Sequence, residues 1–182
     1  MAELRYFNEL VRAMTWLGEK ENTVFLGQSC AIEGTSMYAT LKDVSLDKRI
    51  ELPIMEDSQM GMSIGMALDG KTIPITIFPR FDFAVCASNM ILNHLDKIID
   101  YSNGEYKPKV ITRVGIGSIR PLDPQAQHRN NYSDGFKLML KNIEVIELLE
   151  PDDIFPAYER AYLREDGKST IIVEISDFYN EK

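Results

Sequence analysis

Pro53-Ile54-Met55-Glu56 runs directly into Asp57-Ser58-Gln59-Met60-Gly61-Met62-Ser63-Ile64-Gly65-Met66-Ala67-Leu68-Asp69-Gly70. The residues just before it, Lys48-Arg49-Ile50-Glu51-Leu52, form a short strand-like segment, and the residues after Glu56 carry glycines at a spacing of four. A strand therefore gives way to a helix at Glu56. In an open parallel sheet, ligands gather outside the carboxyl ends of the strands, which makes Glu56 the first residue to suspect of chemistry.

Working outward, five further runs are rich in β-branched residues and of strand length: Thr23-Val24-Phe25-Leu26, Ile73-Pro74-Ile75-Thr76-Ile77, Val110 to Val114, Ile143 to Leu149 and Thr170 to Ile175. Helical patterns lie between them. Leu4, Phe7, Leu10, Val11, Met14 and Leu17 form one apolar stripe over residues 3–18. From Phe81 to Tyr101 a broader stripe predicts one long helix covered on more than one side. Pro151 followed by Asp152 and Asp153 marks the start of a last helix, which turns Ile154, Tyr158, Ala161 and Tyr162 inward. Strands alternating with helices predict an α/β domain of three layers, with a mainly parallel six-stranded sheet and helices on both faces.

The 182 residues suit one domain with one core. A net charge of -8 and no run of Lys or Arg argue against nucleic acid as a partner. No stretch approaches the roughly 20 apolar residues that cross a bilayer, and the first residues do not read as a leader, so the expectation is a cytoplasmic protein off the membrane. Cys30 and Cys86 lie far apart without a ligand partner and read as small buried residues. With only His94 and His128 beside them, no metal site is expected from this chain alone.

Two motifs fail on inspection. Asp166-Gly167-Lys168-Ser169-Thr170 imitates the end of a phosphate-binding loop, but Tyr162 stands where the first glycine belongs, and the segment leads into a strand. Gly115-Ile116-Gly117 follows a strand, yet Arg120 occupies the third position of a dinucleotide fingerprint, so a turn is the better reading. Nucleophilic catalysis by the protein has no support either, since neither a Gly-x-Ser-x-Gly elbow nor an activated cysteine is present. The polar loop from Leu122 to Asn131, which holds His128, is of a length that tends to be functional.

Taken in order, Gly27, Asp47-Lys48-Arg49-Ile50, Pro53-Ile54-x-Glu56, the glycines at 61, 65 and 70, Phe81-x-Phe83, Ala87, Asn93 and Arg113 before Gly115 resemble the pyrimidine-binding domain of thiamine-diphosphate enzymes. The similarity runs from about residue 20 to residue 176 and is greatest to the amino-terminal half of 2-oxoacid dehydrogenase beta subunits, with transketolases somewhat further away.

That resemblance implies thiamine diphosphate as cofactor, with Glu56 sharing a proton with a ring nitrogen of its aminopyrimidine. It implies Phe83, or less readily Phe81, as the aromatic face against that ring, Gln28 beside it where the family carries an acid, and His128 near the reacting substrate, with Arg129 the alternative partner of a substrate carboxylate. Glu51-Leu52 stands where the family often has Asp-Thr, which points to a different substrate side of the pocket. The family's Gly-Asp-Gly motif for the metal-bridged diphosphate is absent from this sequence, so Mg2+ and the diphosphate fall to a separate alpha-type subunit, in an α2β2 assembly. The expectation is thus a single pyrimidine domain over 1–182, lacking both a diphosphate-binding domain and a carboxy-terminal domain. It would act on a 2-oxo acid or ketose only with its partner. The alternatives are a scaffold or regulatory domain of the same fold, and a flavodoxin-like binding module, which the loop Gly27-Gln28-Ser29-Cys30 fits poorly.

Overall fold

The computed structural model describes residues 5–117, 119 and 123–180. Six strands form one wholly parallel sheet: β1 Thr23–Gly27, β2 Arg49–Glu51, β3 Ile73–Phe78, β4 Ile111–Ile116, β5 Ile143–Leu148 and β6 Ser169–Ile175, in the order β2-β1-β3-β4-β6-β5. Strand β3 is buried at every residue, and β4 and β6 at all but their last. Central parallel strands covered on both faces need continuous apolar runs, which these sequences supply. The chain passes from β1 outward to β2 and then back across β1 to β3, so the winding reverses between β1 and β3.

One face is covered by α1 Arg5–Gly18, α2 Ser36–Ala39 and α7 Pro151–Leu163. Tyr6, Leu10, Met14 and Leu17 of α1 pack with Ile154, Ala157 and Tyr158 of α7 over Phe25, Ile75 and Ile172 of the sheet. Inside this layer Arg113 of β4 and Glu174 of β6 are both fully buried and paired. Arg113 Nε and Nη2 donate to the two carboxylate oxygens at 2.7 and 2.9 Å, and Nη2 also reaches Thr40 Oγ1 at 3.1 Å. The Tyr158 and Tyr179 hydroxyls donate to the same carboxylate. Burial and the Glu174 charge hold both phenols protonated, well above their ordinary range.

The other face carries α3 Glu56–Ala67, α4 Phe81–Cys86, α5 Ile98–Tyr101 and α6 Ser133–Met139. The long helix predicted over residues 81–101 is interrupted: between α4 and α5 lies a π-helical stretch, Met90–Leu95, in which the Asp96 N–H reaches back five residues to Ile91 O at 3.0 Å. Asp96 itself is fully buried and caps the turn before β5, accepting from the N–H groups of Lys141 and Asn142 at 2.8 and 2.7 Å. The stripe is buried at Phe81, Ala84, Ala87, Ile91, Leu95 and Ile98, but Val85 is exposed. Cys30 is buried as expected. Cys86 is not; it lies on the outer side of α4, because the sheet covers only one side of that helix. The α6 helix and the short α2 helix were not foreseen. Among the described residues no helix is long and apolar enough to cross a membrane.

Candidate active site

All six strands point the same way, so their carboxyl ends share one edge, and each candidate residue follows one of four neighbouring strands there. Gln28 follows β1, Glu56 follows β2, Phe81 and Phe83 follow β3, and His128 follows β4. They surround the point where the winding reverses, where ligands of open α/β sheets gather.

Glu56 is the first residue of α3, and its carboxyl is partly exposed. Gln28 Nε2 donates to Glu56 Oε1 at 3.2 Å. Among the described residues Oε2 has no protein donor, which leaves an oriented acceptor at the carboxyl edge of the sheet. One turn further on, Gln59 is buried at 1% exposure, and its amide nitrogen donates to Thr76 Oγ1 and Ile77 O at 2.8 and 2.9 Å. Those two bonds fix the amide, and Oε1 is left buried without a partner. Gly27 brings the β1 loop against this point at φ +147; a Cβ there would lie 2.4 Å from Ile77 O and 3.0 Å from Gln59 Nε2, which only glycine avoids.

The two phenylalanines separate. Phe81 is fully buried and meets Tyr132 and Phe136 at ring-centroid distances of 5.7 and 5.1 Å, so it is a core residue. Phe83 is partly buried and faces His128, with centroids 5.0 Å apart and planes at 51°. Between them Asp82 anchors the loop that carries His128: Asn130 Nδ2 and Tyr132 OH donate to Asp82 Oδ1 at 2.6 and 3.2 Å. Among the described residues Asp82 Oδ2 and His128 Nδ1 are both buried without partners. Arg129 pairs with Asp123 at 3.3 Å. Leu122, the first residue of that loop, lies outside the described residues.

Three polar residues here escaped the sequence reading. Asp82 was passed over between the two phenylalanines, although an acid in the first turn of a helix is a visible signal. Gln59 carries no mark of a role in the sequence. Glu51, noticed only as a departure, is not a pocket group: its carboxylate accepts N–H bonds from Ser29, Cys30, Ala31 and Ile32.

For an aminopyrimidine the residues present fit: a carboxylate with one free oxygen, a buried amide acceptor in Gln59, and a partly exposed aromatic ring in Phe83. For a metal they do not, since among the described residues no three His, Cys, Asp or Glu side chains come together.

In sequence and in fold the chain is similar to transketolase-like pyrimidine domains of thiamine-diphosphate enzymes. The chain is related to the beta subunits of 2-oxoacid dehydrogenases. It is 31% identical over 134 residues to the pyruvate dehydrogenase E1 component subunit beta of Gracilaria tenuistipitata var. liui, covering 71% of this chain and 41% of that one. It is 24% identical over 142 residues to the 3-methyl-2-oxobutanoate dehydrogenase subunit beta of Mycobacterium tuberculosis, covering 74% and 38%. Among solved structures, a split-gene transketolase described as an inactive β4 tetramer superposes with a TM-score of 0.69 at 18% identity, over 93% of this chain and 50% of that one. The transketolase of Campylobacter jejuni gives 0.68 at 13%, over 92% and 25%. The chain thus spans about two fifths of its curated relatives. No protein-family model matches it.

Proposed function

We propose that this chain is the pyrimidine-domain subunit of a split thiamine-diphosphate enzyme that acts on a 2-oxo acid or a ketose, completed by a diphosphate-binding alpha-type subunit in an α2β2 assembly. The observation that carries this reading is Glu56: a carboxylate at the start of α3, on the carboxyl edge of the sheet, with one oxygen held by Gln28 and the other open. A scaffold has no use for that arrangement.

In this reading Glu56 Oε2 would face a ring nitrogen of the aminopyrimidine and share a proton with it. Phe83 lies against the ring, a contact worth on the order of 1 kcal/mol beyond simple burial. His128, held to Phe83 and to the loop that Asp82 anchors, offers a proton donor near the substrate. Bound thiamine diphosphate would supply the nucleophilic carbon that adds to the substrate carbonyl. Mg2+ and the diphosphate belong to the partner, for which this chain has neither motif nor ligand cluster among its described residues.

The exposed apolar side chains beside the site support a partner surface. Ile54 and Met55 precede Glu56 at 78% and 55% exposure, and Met62 and Val85 lie on the outer sides of α3 and α4. The split-gene transketolase structure, described as inactive in its β4 form, accords with a chain that needs its partner.

The test is calorimetric titration of thiamine diphosphate and Mg2+ into the chain alone and into its complex with a candidate partner, a short protein from an adjacent reading frame that carries Gly-Asp-Gly and a downstream Asn. No useful affinity is expected for the chain alone, and clear affinity for the complex. In that complex Glu56→Gln should lower turnover by roughly 10²- to 10⁴-fold, the range for loss of a positioned proton-transfer group. Unchanged turnover would remove Glu56 from the chemistry.

A further inference from the structure

The loop after β1 is bracketed from one neighbouring strand. Leu52 N–H donates to Gly27 O at 2.9 Å on one side of Gln28. On the other side the Glu51 carboxylate gathers four successive backbone donors: Ser29 N–H to Oε1 at 2.7 Å, and those of Cys30, Ala31 and Ile32 to Oε2 at 2.8, 2.7 and 3.0 Å. Backbone donors converging in this way form a concavity made for an anion, and here the anion is built into the chain. The turn is otherwise an unfavourable one. Ser29 sits at φ +51, a left-handed conformation unfavourable to a residue with a side chain, and Gly27 at φ +147 precedes it. Gln28 lies between these two constrained positions, and its amide meets Glu56 Oε1.

We infer that Glu51 is a positioning residue of the candidate site: its carboxylate holds the turn that aims the Gln28 amide at Glu56, so that Glu56 presents its other oxygen to a ligand nitrogen. The consequence for cofactor binding rests on the proposed function; the coupling from Glu51 through Gln28 to Glu56 rests on the geometry alone. A carboxylate is needed because four N–H groups point at it. A neutral amide would turn its own donors against them, whereas the charge shortens and strengthens every bond.

The experiment follows the Gln28 side-chain amide by ¹⁵N NMR in the full chain without cofactor. Two references fix the scale: Gln28→Ala identifies the signals, and Glu56→Ala gives their position when the acceptor is gone. In Glu51→Gln the Gln28 signals are expected to move to the Glu56→Ala position, and the amides of Ser29 to Ile32 to exchange up to about fivefold faster, as for loss of partly solvated charge-assisted bonds. Faster exchange at 29–32 with Gln28 unmoved would overturn the inference, because Glu51 would then hold the loop and nothing beyond it. If Glu51→Gln does not fold, Glu51→Asp takes its place. Its carboxylate falls one methylene short, so the same displacement is expected in smaller degree, and an unmoved Gln28 overturns the inference equally. The measurement needs no thiamine diphosphate, so its failure leaves the proposed function standing, and failure of the proposed function leaves the coupling standing.

Discussion

On the face of the sheet covered by α1, α2 and α7, the ion pair of Arg113 and Glu174 is sealed in the core with tyrosine and threonine partners, whereas across the sheet the charged groups of the candidate site sit at the rim and keep acceptors open. Glu174 is fully buried and takes donors from Arg113, Tyr158 and Tyr179. Glu56 is partly exposed and, among the described residues, takes one, from Gln28. Two glutamates in one small domain thus do different work, and the number of protein donors each has received tells them apart. A carboxylate saturated by its own chain braces the fold, and one left half-satisfied at a strand end is available to a ligand. Glu51 belongs with the first kind although it stands five residues from Glu56.

The largest effect should come from breaking the sealed pair. Arg113→Met leaves the Glu174 charge buried with only hydroxyl donors, and removal of one partner of a buried pair costs about 3–5 kcal/mol. Urea denaturation of the full chain reads this directly. Glu56→Gln, measured in the same way, is expected to cost under about 1 kcal/mol, as for a partly exposed side chain away from the core. If the two variants lost similar stability, the division between bracing and ligand-facing carboxylates would fail. Replacing Glu174 as well, by Leu in the Arg113→Met background, should recover part of the loss, since well-packed apolar groups often substitute for a buried pair without penalty.

A similar contrast separates the two phenylalanines of the β3–α4 junction. Phe81→Ala removes a fully buried ring that touches Tyr132 and Phe136, and about 3–5 kcal/mol is expected. Phe83→Ala removes a partly buried ring whose recorded ring partner is His128, and about 1–2 kcal/mol is expected, because the cavity it leaves opens to solvent and stays small. Thermal unfolding of both variants gives the ratio. Equal losses would make Phe83 a core residue and remove the aromatic wall from the candidate site.

The sequence made five of the six strands legible because each is a short run rich in β-branched residues; β2, Arg49–Glu51, is half-buried throughout and shows only as a strand-like segment before Glu56. It made Glu56 legible because a strand-to-helix change leaves a mark in the spacing of apolar residues and glycines. Features without a periodic signature were not legible. Helix α6 buries only Ser133 and Phe136, while Leu138 is 89% exposed, so no apolar stripe announces it, and Tyr132-Ser133-Asp134-Gly135 imitates a turn. The π-helical stretch keeps the inward positions of the helices around it, Ala87, Ile91 and Leu95, and its departure lies in backbone bonding alone. Val85 keeps the helical period of the apolar positions and Cys86 reads as a small buried residue, but both face outward, because a one-sided covering cannot be read from the composition of the helix it covers. The Glu51 clamp spans twenty residues of sequence and uses backbone donors, which carry no side-chain identity at all.

The smallest expected effect tests the clamp through protons. Burial pushes the Glu51 carboxyl upward, but the N–H groups of Ala31, Ile32, Ser29 and Cys30 together outweigh it, so that the group lies below its ordinary value of 4.5 in the folded chain. A carboxyl whose folded value is depressed contributes stability in full above its unfolded value, and the contribution is lost as pH falls through the folded one. Neutral and alkaline pH therefore leave the clamp intact, and acid below about 4.5 opens it. Much of the group is in contact with solvent, so the contribution is about 1 kcal/mol or less, a loss of up to roughly fivefold in protection. The hydrogen-exchange protection of the Ser29 to Ile32 amides, divided at each pH by that of Ile75 and Ile77 in the central strand, isolates it from the general acid response of the fold. The ratio is expected to fall only below pH 4.5 in the native chain and to be flat with pH in Glu51→Gln. A ratio that fell equally in both would assign the acid sensitivity to another carboxyl and leave the four N–H bonds without a measurable share in holding the loop.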